Sequence, residues 1–236
     1  GIILCRRDLR GAIHPQSDST LVFVDNPRLA FVKFVKKMQA KEISLRHSPS
    51  ISPTAIIAEN VSVGKNCHIG DYVTIGKECS VNDNTIISAM VTLSQKCRIG
   101  ENCIIQSGVT LGEDGFSYER LENGELEKFP HLKGVIIGND VEICANSNIA
   151  RGSLIDTVVG DGTKIDAMVH IAHNVNIGRN CQITAGTIIG GSVVIGNSCW
   201  LGLNCTIKNS IKIGNNVIVG AGACVIRDVP DGDVVA

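Results

Sequence analysis

The residue type best able to accept a proton near neutral pH is histidine, and the chain has six histidines, at positions 14, 47, 68, 131, 170 and 173. The unperturbed pKa of the side chain is about 6.5. Only His173 has surroundings that suggest chemistry, because the segment Met168–Val175 in which it lies also contains His170 and Asn174. We predict that His173 is a general base. The alternative is a corner residue that faces solvent. No metal site is predicted, because a third histidine at the spacing of a zinc site is absent.

The residues around His173 belong to a repeat with a period of six. An aliphatic residue recurs at every sixth position from Ile51 to Leu111, then from Ile137 to Ile155, and after one slip from Val159 to Val225, which gives 27 positions. Residues i and i+6 fall on opposite sides of an α-helix, so a repeat with this period excludes a helical structure. A short strand and a turn at fixed period indicate an all-β solenoid, with about nine coils at three hexads per coil.

Two further positions of the hexad carry small residues. Glycine often follows the aliphatic residue, as at Gly64, Gly70 and Gly76, which predicts corners with positive φ at those glycines. Seven cysteines lie four residues after an aliphatic residue: Cys67, Cys79, Cys97, Cys103, Cys181, Cys199 and Cys205. We predict that they fill the core as small apolar side chains rather than form disulfides.

The hexad rhythm divides the chain. Residues 1–47 lack it and predict a partial α/β domain, with a buried strand at Thr20–Asp25 and a helix at Pro27–Lys41 that starts at Asn26 and Pro27. Residues 48–236 predict the solenoid. Residues 113–134 interrupt it with charged and aromatic residues, and we expect a projecting loop that either borders a binding groove or is simply solvated.

Composition excludes several partners. The net charge is −1, which gives no support for binding nucleic acid or an anionic membrane. The sequence has no apolar run of some 18 residues, so no integral membrane association is predicted. We expect a cytoplasmic protein.

Four segments, in order and spacing, resemble the UDP-3-O-acylglucosamine N-acyltransferases of lipid A (lipopolysaccharide) biosynthesis. They are Asp114-Gly-Phe-Ser-Tyr118, Gly134–Ile143, Arg151–Thr157 and Ile171-Ala-His-Asn-Val175. This family belongs to the hexapeptide-repeat acyltransferases. The resemblance implies a left-handed parallel β-helix and a homotrimer whose acceptor and donor meet between neighbouring prisms.

The resemblance also assigns roles to single residues. It implies that His173 is the general base, that the backbone N–H of Gly191 stabilises the oxyanion, and that Asp166 orients the imidazole; Asp166 could instead be a plain corner residue. Asn174 matches a substrate-contacting amide of the family, and His170, Phe116 and Tyr118 are further candidates for binding substrate, although the family has glutamine at the position of His170. The chain departs from the family at Ser210, where the family has a second histidine.

These observations predict an acyltransferase. The first hypothesis is transfer of an acyl group from a phosphopantetheine thioester, on acyl carrier protein or coenzyme A, to the amine of a nucleotide-linked amino sugar, with no bound cofactor. Two alternatives remain: a sugar O-acetyltransferase that uses acetyl-CoA, and a non-catalytic solenoid scaffold. A scaffold would need neither His173 nor Gly191.

The assignment of the cysteines and histidines gives a testable expectation. Because the cysteines fill the core and the histidines form no ligand set, dithiothreitol or EDTA should leave the melting temperature unchanged. Thermal unfolding followed by circular dichroism, with and without each reagent, measures this. A decrease of several degrees with either reagent would contradict the assignment.

Overall fold

The structure is a computed structural model, and it describes residues 1–14, 18–46 and 48–236. His47 lies outside the described residues. The chain forms two compact units, Gly1–Ser48 and Pro49–Ala236. Within the described residues, no helix has the length and apolar character needed to span a membrane.

The first unit is a small α/β element. Strands β1 (Ile2–Arg6) and β2 (Thr20–Val24) pair in parallel, a 3₁₀ turn follows β1 at Arg7–Leu9, and helix α1 spans Pro27–Arg46. The Oδ1 of Asn26 accepts a hydrogen bond from the backbone N–H of Leu29 at 2.9 Å, so Asn26 caps the helix as the sequence suggested.

Two sequence predictions for this unit need correction. Helix α1 continues beyond the predicted end at Lys41, to Arg46. Strand β2 has no buried residue, although the sequence predicted a buried strand. The reason is that only one helix packs against this two-stranded sheet within the unit, so both strands keep exposed side chains.

The second unit consists of two- and three-residue strands at the predicted period. The strands before the hairpin are β3 (Ser50–Ile51), β4 (Ile56–Ile57), β5 (Ser62–Val63), β6 (His68–Ile69), β7 (Thr74–Ile75), β8 (Ser80–Val81), β9 (Ile86–Ile87), β10 (Thr92–Leu93), β11 (Cys97–Ile99), β12 (Ile104–Ile105) and β13 (Thr110–Leu111). The hairpin comprises β14 (Tyr118–Arg120) and β15 (Leu126–Lys128). The strands after it are β16 (Val135–Ile137), β17 (Glu142–Ile143), β18 (Asn148–Ile149), β19 (Thr157–Val159), β20 (Lys164–Ile165), β21 (His170–Ile171), β22 (Asn176–Ile177), β23 (Gln182–Ile183), β24 (Ile188–Ile189), β25 (Val194–Ile195), β26 (Trp200–Leu201), β27 (Thr206–Ile207), β28 (Lys212–Ile213), β29 (Ile218–Val219), β30 (Cys224–Val225) and β31 (Val234–Val235).

Each strand of the β-helix stacks in parallel on the corresponding strand of the preceding coil, which makes three sheets. Sheet I is β3-β6-β9-β12-β17-β20-β23-β26-β29-β31, sheet II is β4-β7-β10-β13-β18-β21-β24-β27-β30, and sheet III is β5-β8-β11-β16-β19-β22-β25-β28. They contain ten, nine and eight strands, so the 27 strands make nine coils and the predicted fold class is confirmed. Aliphatic residues stack in register, for example Ile143 on Ile165 and Ile165 on Ile183.

One predicted repeat position is wrong. Ile155 was counted as a core aliphatic residue, but it is 61% exposed. Residues 150–156 leave the coil between β18 and β19, so the side chain of Ile155 cannot reach the core. The strand that completes the count of 27 is β31, whose Val235 pairs with Val219.

The predicted role of the repeat glycines also needs correction. Among the glycines that directly follow an aliphatic residue, Gly112 alone has positive φ; elsewhere positive φ occurs three residues after the aliphatic residue, at 18 non-glycine residues that include Asn66 and Asn84. The glycine that directly follows the aliphatic residue is required for close approach instead. A Cβ on Gly70 would lie 2.7 Å from the backbone nitrogen of Ala89 in the next coil.

The predicted role of the seven cysteines is confirmed. All seven are buried, and all ten cysteines of the chain are free thiols. Six of the seven thiols, all but that of Cys205, donate hydrogen bonds to backbone carbonyls of the next coil, as Cys199 does to Gly214 at 3.0 Å. They therefore fill space and also satisfy backbone acceptors at the corners.

The close packing of the coils predicts the effect of one methyl group. Gly70→Ala should destabilise the protein by about 1–3 kcal/mol, because the new Cβ collides with backbone that cannot move alone. Asn82→Ala is the matched control, since Asn82 follows Val81 directly and its corner already accepts a Cβ. Its effect should be under about 0.5 kcal/mol. Urea unfolding measures both, and equal effects would contradict the explanation.

Candidate active site

A groove of about 770 Å³ runs between sheet II and the projecting hairpin. Its floor is formed by residues of four successive coils, among them His170, His173 and Gly191. Its rim is formed by the segment that leads into the hairpin, with Phe116 and Tyr118. The structure therefore brings together five of the seven site residues predicted from the sequence.

His173 stands at the corner that follows β21, and backbone confines its ring on two sides. A Cβ on Gly191 would lie 2.8 Å from both Cε1 and Nε2 of His173. A Cβ on Gly115 would lie 2.8 Å from Cβ and Cδ2 of His173. Glycine is thus needed at both positions for the imidazole to occupy this place.

The surroundings favour the neutral form of His173. Burial lowers the pKa of His173 below its ordinary value of 6.5, the adjacent His131 lowers this pKa further, and a hydrogen bond with the backbone of Phe116 opposes both effects. Burial also lowers the pKa of His170. A neutral imidazole beside an open groove can accept a proton at pH 7.

Gly191 offers a backbone donor beside the imidazole. Its carbonyl accepts a hydrogen bond from the N–H of Ser210 at 2.9 Å. In the part of the chain that the structure describes, no group accepts a hydrogen bond from the N–H of Gly191. A free N–H next to a base is the arrangement that stabilises a developing oxyanion.

The two interruptions of the hexad pattern hold the hairpin in place by bonding to each other. The N–H groups of Leu132 and Lys133 donate to the carbonyls of Ser153 and Gly152 at 3.0 and 3.1 Å. The buried side chain of Arg151 donates from Nε to the carbonyl of Lys133 at 2.7 Å. The slip at residues 150–156 therefore anchors the loop that borders the groove.

Asn174 and Asp166, both predicted site residues, make local contacts. Oδ1 of Asn174 accepts a hydrogen bond from the N–H of Ser153 at 2.7 Å, which links residues 150–156 to the corner next to His173. Asp166 does not line the groove; it follows β20 in sheet I, and its carboxylate accepts from the N–H groups of Ala167 and Ala185 at 2.7 and 3.2 Å. The substrate contact of Asn174 and the catalytic role of Asp166 remain predictions.

The predicted aromatic residues lie on the rim. Phe116 is 87% exposed, and its ring centroid is 5.0 Å from that of Tyr118. Lys128, on the opposite strand of the hairpin, forms an ion pair with Asp114. The two aromatic side chains thus lie at the entrance of the groove.

His131 is a residue of the site that the sequence reasoning did not select. It is buried, and its ring centroid is 5.2 Å from that of His173, at an interplanar angle of 72°. The sequence contained only a weak signal, namely a histidine placed between the hairpin and the resumption of the repeat at Ile137. Among the described residues, no group of three histidine, cysteine, aspartate or glutamate side chains could hold a metal ion.

Comparison with known families and proteins agrees with this architecture. The family "Bacterial transferase hexapeptide (six repeats)" matches residues 156–191, and "Hexapeptide repeat of succinyl-transferase" matches residues 92–114 and 192–227. Among solved structures, the UDP-N-acetylglucosamine acyltransferase of Francisella novicida is 26% identical, with a TM-score of 0.73, over 79% of this chain and 67% of that one. The Bacteroides fragilis enzyme of the same name is 25% identical, with a TM-score of 0.68, over 77% and 69%.

Two curated relatives are named as UDP-3-O-acylglucosamine N-acyltransferases. The UDP-3-O-acylglucosamine N-acyltransferase of Methylacidiphilum infernorum is 46% identical over 189 residues, 72% of this chain and 53% of the relative. That of Coxiella burnetii is 36% identical over 173 residues, 66% and 50%. The chain spans about half the length of the curated relatives it matches. From its repeats, its coils and these relatives, the chain belongs to the hexapeptide-repeat acyltransferases, and it is similar to the UDP-3-O-acylglucosamine N-acyltransferases.

Proposed function

We propose that this protein is a cytoplasmic N-acyltransferase that moves an acyl group from a phosphopantetheine thioester to the amine of a nucleotide-linked amino sugar. The observation that carries the proposal is His173, a neutral imidazole that opens into the groove beside the free N–H of Gly191. The names of the relatives support the class of acceptor. Acyl carrier protein and coenzyme A both present the same thioester, so both are proposed donors.

The proposed reaction needs one base and one oxyanion donor. As the amine nitrogen forms a bond to the thioester carbonyl carbon, His173 takes the proton from that nitrogen. The carbonyl oxygen gains negative charge, which the N–H of Gly191 stabilises. When the tetrahedral intermediate collapses, the C–S bond breaks and the protonated His173 returns its proton to the leaving thiolate. The products are an amide and a free thiol.

The rim aromatics complete the proposed acceptor site. Phe116 and Tyr118 expose ring faces at the entrance of the groove, where the planar base of a nucleotide could stack. His170 lies on the floor beside His173, within reach of a bound sugar. These contacts would orient the amine towards the base, which is the purpose of binding energy remote from the reacting atoms.

Removal of the base gives the central prediction. His173→Ala should lower turnover by a factor of roughly 10² to 10⁴, the usual contribution of a positioned general base. Because His173 is half-buried at a corner, the stability should change by under about 1 kcal/mol. Thiol release from acyl-CoA and acyl carrier protein donors, with amino-sugar nucleotides as acceptors, measures turnover.

Ser210→Ala is the matched control for this variant. Ser210 also lines the groove, but a neutral hydroxyl cannot carry a proton as histidine does at pH 7, so its loss should matter far less. Turnover by His173→Ala within a factor of three of the parent would reject the mechanism, whereas no turnover by the parent with any of these donors and acceptors would favour a scaffold. Acylation of a hydroxyl instead of an amine would identify an O-acetyltransferase.

We propose that the protein is a homotrimer. Three large apolar side chains, Tyr72, Met90 and Met168, each lie three residues after a sheet I aliphatic residue, and each is at least 64% exposed. They share one corner of the β-helix. Exposed apolar side chains aligned on one edge favour contact with another copy of the same surface in a closed assembly.

Association can be tested by light scattering at micromolar concentration. The expected mass is three times the 25.1 kDa of one chain. Met168→Lys should shift the mass towards the monomer, because a charge would be buried in the contact. Ser198→Lys, at the corresponding exposed position after a sheet III strand, is the control and should leave the trimer intact. A monomer for the parent protein would contradict the proposal.

A further inference from the structure

His131 is the one group beside the proposed base whose burial has no structural explanation. Its side chain is 6% exposed, and neither ring nitrogen has a hydrogen-bond partner among the described residues. Buried polar groups are normally paired, so an unpaired imidazole points to a requirement other than stability. A leucine or phenylalanine would fill the same space without that cost.

The structure directs this unpaired ring at His173. The two rings meet edge to face, with centroids 5.2 Å apart. Gly115 makes the contact possible, because a Cβ there would lie 2.8 Å from Nε2 of His131 and 2.8 Å from the side chain of His173. With Gly115 and Gly191 on two sides and His131 on a third, the imidazole of His173 has little freedom to turn.

We propose that His131 is a positioning residue for His173: its ring holds the imidazole of His173 in one orientation at the groove and disfavours a resting positive charge there. This inference rests on the proposed function, because it assigns His131 to the same reaction. His131 does not touch the reacting atoms. It acts through His173 alone.

The electrostatics around the pair support the second part of the proposal. The other titratable groups that line the groove with His173 are Glu113, Asp114, Tyr118 and Arg120 on the loop, and His170 on the β-helix. Asp114 is neutralised by its ion pair with Lys128, which also holds the pKa of Asp114 below its usual value. His131, by contrast, is in ring contact with His173, and it lowers the pKa of His173.

Two substitutions distinguish the effect of the ring contact on His173 from the effect of the two ring nitrogens. His131→Phe keeps a buried aromatic ring and removes both nitrogens, whereas His131→Ala removes the ring. His14→Phe, on an exposed histidine of the other unit, is the control. The titration of His173 is followed by NMR of ¹³C-labelled histidine and assigned from the resonance lost in His173→Ala.

We expect His131→Phe to raise the pKa of His173, because the electrostatic effect of His131 that lowers this pKa is removed. A base must be deprotonated to act, so the acid limb of kcat/KM should move to higher pH by the same amount. His131→Ala should lower kcat about tenfold at pH 8 with little change in KM. His131→Phe should keep most of the activity that His131→Ala loses.

If the role of His131 were purely structural, its substitution would lower the melting temperature and leave the pKa of His173 unchanged. The inference is therefore overturned if His131→Phe and His14→Phe leave the pKa of His173 equally unchanged. If His131→Ala does not fold, the comparison of the two phenylalanine variants decides alone. Full activity of His173→Ala would reject the proposed function, while the NMR comparison would still decide the contact between the two histidines.

Discussion

The stacking of one short strand directly on another is the constraint on which the rest of this structure depends. Parallel strands lie about 4.8 Å apart, so each coil has room for one layer of aliphatic side chains and for almost nothing else at the corners. A single extra Cβ at Gly70 would already lie 2.7 Å from backbone. Sequence that does not fit the hexad must therefore leave the β-helix, as residues 113–134 and 150–156 do.

These two departures bond to each other, and this fixes the position of the hairpin. A hairpin on its own would be free to swing, since isolated two-stranded hairpins are only marginally stable in water. Here the backbone of Leu132 and Lys133 pairs with that of Ser153 and Gly152, and Asn174 ties Ser153 to the corner that carries His173. The hairpin is thus fixed relative to His173 through the coil, and the groove keeps its shape without an additional domain.

The repeat made most of the fold predictable, because an aliphatic residue every six positions fixes strand, period and core together. It could not distinguish the glycine needed for close approach from the residue with positive φ, since both roles admit small residues and only the stacked coils separate them. His173, Gly191 and the rim aromatics were predicted by resemblance, and the structure gathers them in one groove. His131 was missed because nothing local marks it: its importance arises from a contact between residues 42 positions apart in the chain.

The contact between His131 and His173 also affects how easily His173 takes up and releases the proton in the proposed reaction. A base with a low pKa accepts a proton less readily, yet it is free at neutral pH and, once protonated, gives the proton up easily. The second half of acyl transfer needs that release, because the leaving thiolate has an ordinary pKa near 8.5 and becomes a better leaving group as it gains a proton. A carboxylate beside His173 would stabilise the imidazolium and slow this return. An imidazole in that position instead favours a proton that passes through His173 without remaining there.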